Sequence, residues 1–98
     1  MIRHVLLLKW RHELTPAEME EVRSGLDKLA AEVTSVRAMA HGPSLGIADI
    51  GADYALTVDV DDAGGWWEYS KHPAHDLPRV VIRRLRAEAW STQFTLPD

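Results

Sequence analysis

Residues Ile2 to Trp10, read with a period of two, make a strand that is apolar on both faces. His4, Leu6, Leu8 and Trp10 fall on one side; Val5, Leu7 and Lys9 fall on the other. A strand with two greasy faces has to be covered on both. In a chain of 98 residues its own helices can cover one face. The other needs a further cover, and a second copy of the chain is the simplest.

The remaining pattern supplies those helices and the rest of a sheet. Thr15-Pro16-Ala17-Glu18 is a helix start: Thr15 as N-cap, Pro16 in the first turn, Glu18 placed to complete a capping box. Met19, Val22, Leu26, Leu29 and Val33 follow as one apolar stripe, interrupted by Gly25, which is read as allowing close approach to the sheet or room for a ligand. Val36 to His41 reads as a second strand, 42–53 as a turn-rich loop, and Tyr54 to Val60 as a third strand with Tyr54, Leu56, Val58 and Val60 on one side. Asp61 or Asp62 caps a helix through Trp66, Trp67 and Tyr69, which Pro73 ends near Lys71 or His72. Leu77-Pro78 leads into a helix bearing Val81, Ile82 and Leu85, and Ala87 to Phe94 closes the chain as a strand. This order predicts an α+β fold of the ferredoxin-like, split βαβ kind, with a four-stranded antiparallel sheet and helices on one side. Val5, Leu7, Ala55 and Thr57 are then left on a bare face, and two such faces pressed together form a dimeric α+β barrel.

Composition narrows the function classes. The length predicts a single domain over 1–98. A formal charge of -4 argues against a general nucleic-acid binder. The basic run Arg79, Arg83, Arg84 and Arg86 is read as a solvated helix face. No run has the length of a membrane span, and the chain enters a strand pattern at once, without a signal peptide. With no cysteine there is no disulfide or thiolate site, and a cytoplasmic location is expected.

The segment Tyr69-Ser70-Lys71-His72-Pro73-Ala74-His75 carries the chemistry. It gathers a phenol and two imidazoles around a helix-ending proline, and imidazole titrates near neutral pH. Tyr69 in the last helical turn and His75 just beyond can converge on one pocket. The plain alternative for His75 is a loop imidazole that locks the turn. His4, Leu6, Leu8, Trp10, Met19, Leu26, Leu56, Val58, Trp66 and Trp67 are the expected pocket lining, with His72 at its edge or capping the helix. Trp66 and Trp67 cannot both point inward on one helix, and Trp90 is expected in the core. His12 and His41 are read as bland strand-end residues. His72 and His75 are three apart and acidic Asp76 follows, but their loop placement and the lack of another clear ligand make a metal site unexpected.

These residues also resemble a known family. The opening Ile-x-His-Val-Leu-Leu-Leu-Lys strand, the Thr-Pro-x-Glu helix start, the Tyr54 strand and Tyr69-x-x-His72-Pro73-Ala74-His75 are similar to the stress-responsive A/B barrel domain family, across nearly the whole chain. Within it, the chain looks most like the olivetolic acid cyclase-like polyketide cyclases. The resemblance implies a homodimer that needs no metal or organic cofactor and closes a ring in a polyketide-like, poly-carbonyl intermediate by aldol condensation. It implies His75 and Tyr69 as the catalytic pair, His75 as general base and Tyr69 as hydrogen-bond donor, and His4 as a pocket histidine. A further pocket histidine of those cyclases falls at Leu56 here, so the same substrate and ring-closure mode are not implied. Two other functions are weighed beside it: a non-catalytic stress-responsive barrel, and a cofactor-free oxygenase of the antibiotic-biosynthesis type.

Overall fold

The computed structural model describes residues 1–48 and 51–97. Its elements are β1 (Ile2–Trp10), α1 (Pro16–Glu32), β2 (Ala38–Pro43), β3 (Tyr54–Val60), α2 (Ala63–Lys71), a 3-10 turn at Pro73–His75, α3 (Asp76–Leu85) and β4 (Arg86–Thr95). The strands form one sheet in the order β2-β3-β1-β4, and every neighbouring pair is antiparallel. This is the ferredoxin-like α+β arrangement. Among the described residues no helix is long and apolar enough to cross a membrane.

Local chemistry sets the element ends. The capping box forms in full: Glu18 N–H donates to Thr15 Oγ1 at 3.2 Å, and Thr15 N–H donates to Glu18 Oε1 at 3.0 Å. Of the two candidate caps for α2 it is Asp62 that accepts the Gly65 N–H. The second strand begins two residues later than the pattern predicts. Val36 N–H donates to Val33 O, so the chain is still turning there and pairs only from Ala38. The loop expected over 42–53 starts after Pro43, and its residues 49 and 50 lie outside the described ones. Gly25 faces helix α3 and not the sheet: a Cβ there would meet Pro78 Cγ at 3.5 Å, an ordinary contact.

The core lies between the sheet and the helices. Leu8, Leu56, Val58 and Val60 meet Val22, Leu26 and Leu29 of α1 and Val81 and Leu85 of α3. Each such side chain stabilises the fold by about 1.5–3 kcal/mol through lost contact with water. On the opposite face Arg3 holds Asp59 with two hydrogen bonds of 2.8 and 3.0 Å, which keep that carboxyl below the usual range. The rest of that face is apolar and open. Leu7 is 38% exposed, Trp90 49% and Phe94 47%. Trp90 pairs across from Leu7, so it stands on the outer face and not in the core where the sequence puts it.

Leu29 has no exposed surface and lies outside the hollow described below. Leu29→Ala should therefore cost about 2–5 kcal/mol. Urea unfolding at constant pH checks this, with an unchanged slope and a lower midpoint expected.

Candidate active site

Pro73 organises this corner of the molecule. It offers no N–H to continue α2, and it holds His72 in an extended conformation at φ -63, ψ 137. His72 Nδ1 then accepts the Ala74 N–H at 3.0 Å. His72 is thus a backbone cap, and it is not among the residues that line the hollow described next. The tight turn delivers the chain straight into α3. Tyr69, in the last turn of α2, and His75, just before α3, meet edge to face with ring centres 4.9 Å apart.

His75 opens onto a hollow of about 170 Å³ between sheet and helices. A cavity of about 150 Å³ accepts benzene, so the space suits one six-membered ring. Leu6, Leu8, Leu26 and Leu56 form its apolar floor, and Pro78, Ile82 and Ala89 add to its walls. The other expected lining residues lie elsewhere. Val58 is sealed in the core, because it sits mid-strand beneath the helices. Trp10 tilts against Tyr54 at 5.8 Å, and Met19 packs on the core. Trp66 and Trp67 line a separate hollow of about 220 Å³ with Ile2, Ala63 and Gln93. Only Trp66 turns inward; Trp67 is 55% exposed beneath Lys71 Nζ.

Tyr69 and His4 stand behind His75 and are not part of the hollow's lining. The His4 ring lies 6.2 Å from that of Tyr69 and 5.8 Å from that of Trp66. Gln93 Nε2 donates to His4 Nδ1 at 2.8 Å, which leaves the His4 proton on Nε2. Burial lowers the pKa of His4. Burial also pushes the Tyr69 phenol up to about 12, so it remains a donor.

Sequence reasoning missed Arg79. Read as part of a solvated face, it instead turns back to His75, where its guanidinium donates to Nδ1 at 2.5 Å. It also donates to Ser70 O at 2.7 Å and lies 3.5 Å from Asp76. Arginine has no acceptor, so the His75 Nδ1 lone pair faces it and the ring proton rests on Nε2. Burial first, and the Arg79 charge second, lower the His75 pKa to about 4. The imidazole is neutral at pH 7, as a base must be, but its lone pair is engaged. A spacing of four residues between His75 and Arg79 is the signal that could have revealed the contact. Arg83 and Arg86 line the same hollow, while Arg84 pairs outward with Glu21 at 2.7 Å.

His41 was also misread as bland. Tyr54 O–H donates to His41 Nδ1 at 2.7 Å, and His41 Nε2–H donates to Asp27 at 2.6 Å, tying β3, β2 and α1 together. Among the described residues no three His, Asp or Glu side chains gather as a metal-ligand group.

A family model described as the stress responsive A/B barrel domain matches residues 2–95. Among solved structures, a dimeric ferredoxin-like protein of unknown function from Thermobifida fusca YX is 34% identical. The match covers 97% of this chain and 90% of that one, with a TM-score of 0.89. Hydroxynitrile lyase from Passiflora edulis is 13% identical, with 98% and 96% covered and a TM-score of 0.81. SnoaB, a cofactor-independent oxygenase from Streptomyces nogalater, is 15% identical, with 99% and 93% covered and a TM-score of 0.77. At those identities the last two share the fold alone, though they show that this fold hosts enzymes of different kinds. No curated protein matches the chain. With the motif segment, the sheet order and the family match in agreement, the chain belongs to the stress-responsive A/B barrel domain family.

Proposed function

We propose that this protein is a cofactor-independent cyclase that closes a ring in a poly-carbonyl intermediate by aldol-type acid–base catalysis, working as a homodimer. The observation that carries the reading is the contact of the Tyr69 and His75 rings beside an apolar hollow of one-ring size. A methylene between two carbonyls is acidic enough for an ordinary base, and folding the substrate into a reactive shape supplies much of the remaining acceleration.

In this reading an oxygen of the substrate takes over an Arg79 N–H and frees His75 Nδ1. The imidazole then removes the methylene proton. Released from Arg79, the His75 ring turns aside, and the enolate oxygen reaches the phenol of Tyr69 behind it, which donates to it. The enolate carbon attacks a second carbonyl, a carbon–carbon bond forms, and the new alkoxide takes the proton back from the imidazolium. Atoms and charge balance without any other reactant. The dimer is supported by the open apolar face bearing Leu7, Trp90 and Phe94, and by the relative described as dimeric. An oxygenase reading rests on the fold shared with SnoaB. Dissolved-oxygen uptake with a polyphenol, absent under the cyclase reading, separates the two.

His75→Ala and Tyr69→Phe should each lower product formation from a linear poly-β-ketone by about a hundredfold, with the circular dichroism spectrum retained. Turnover equal to wild type in both variants would refute the assignment. Because the base works as the neutral imidazole, the acid limb of kcat/KM should lie near the His75 value of about 4 and not near 6.5. Arg79→Gln removes a neighbouring positive charge and should move that limb upward. For the dimer, sedimentation should give two chains per particle for wild type and one for Trp90→Asp.

A further inference from the structure

Charge is distributed unevenly around the hollow. The chain carries a formal charge of -4, yet the charged side chains lining this space are Arg79, Arg83 and Arg86, with no carboxylate among them. The three lie on one stripe of α3 and its exit, at spacings of four and three residues. Arg79 is already engaged by His75, Ser70 and Asp76. Arg83 and Arg86 differ from it. Among the described residues the arginines that hold carboxylates are Arg3, Arg37, Arg79 and Arg84. Arg11 adds a further cation, donating to the Arg86 carbonyl at 2.8 Å.

Long arginine stems often lie over greasy surface with their heads in water, and that would explain one such residue. It does not explain why, among the described residues, two guanidinium groups that hold no carboxylate line the hollow that His75 enters. Guanidinium is weakly hydrated and presents a planar fork that suits carboxylate or phosphate oxygens. Next to an apolar floor, such forks favour a ligand with a greasy body and a charged end.

We infer that the hollow binds an amphiphilic anion, its apolar ring on the floor of Leu6, Leu8, Leu26 and Leu56 and its carboxylate or phosphate held by Arg83 and Arg86. The inference rests on the reading of this hollow as the ligand site and adds the charge of the ligand to it. Neither arginine is placed in the proton-transfer steps.

Calorimetric titration of the full chain with benzoate and with benzamide, its neutral isostere, tests the inference without requiring turnover. Benzoate should bind about tenfold tighter or better, as charged hydrogen bonds do. The Arg83→Gln/Arg86→Gln double variant should remove that preference while leaving benzamide unchanged. Raising sodium chloride from about 0.05 to 0.5 M should weaken benzoate alone, a reading that needs no variant. Phenyl phosphate distinguishes the two anion sources: binding tighter than benzoate identifies a phosphate-bearing ligand, and weaker binding a carboxylate. Equal affinity for benzoate and benzamide would overturn the inference and leave the cyclase reading standing. So would a preference that survives the double variant, or inorganic phosphate binding as well as phenyl phosphate. If no ring binds at all, both this inference and the hollow as ligand site fall.

Discussion

The central strand β1 is the constraint on which the rest depends. It is hydrogen-bonded on both sides, to β3 and to β4, and its two faces do different work. His4, Leu6 and Leu8 look toward the helices, where they build the core and the floor of the hollow. Val5 and Leu7 look outward with Trp90 and Thr92 across from them. A small domain has too little chain to cover both faces, so the apolar outer surface and the single helix layer follow from the same alternation.

Proline sets the second constraint. The loss of one N–H at Pro73 stops α2, recruits the His72 side chain as a cap and starts α3 without a loop. The phenol and imidazole come together through this local geometry and not through a long-range contact. Their environment then defines their states. Burial keeps the Tyr69 proton on, burial and Arg79 keep the His75 ring neutral, and Gln93 fixes the His4 tautomer. His75 and Arg79 face the hollow beside its four leucines, while Tyr69 and His4 stand behind the imidazole.

The sequence makes local features readable and leaves cross-chain ones hidden. The Thr15–Glu18 box, the period of β3 and the stop at Pro73 each depend on residues within a few positions of one another. So does the identity of the four leucines on the floor, once the fold is named. The tie from Asp27 through His41 to Tyr54 spans three elements and needs the β2–β3 register, in which His41 faces Leu56 and Pro43 faces Tyr54. Trp90 was misplaced for a related reason: its face is set by its pairing with Leu7, and a tryptophan's bulk alone argues for the interior. Arg79 is the exception, a near neighbour of His75 that was hidden by the assumption that clustered arginines face water.

The irregularity between Lys9 and Trp10 has a bearing on how such a chain can change over time. Pairing with β4 shifts there, and Trp10 N–H turns aside to the Asp53 carboxylate at 2.8 Å. A residue gained or lost within the strand upstream of that point would exchange the two sides of the residues beyond it, sending Leu6 and Leu8 outward and Leu7 toward the hollow. Length changes should therefore accumulate beyond the bulge and in the 42–53 connection, whereas Ile2 to Leu8 can vary in letter but not in number.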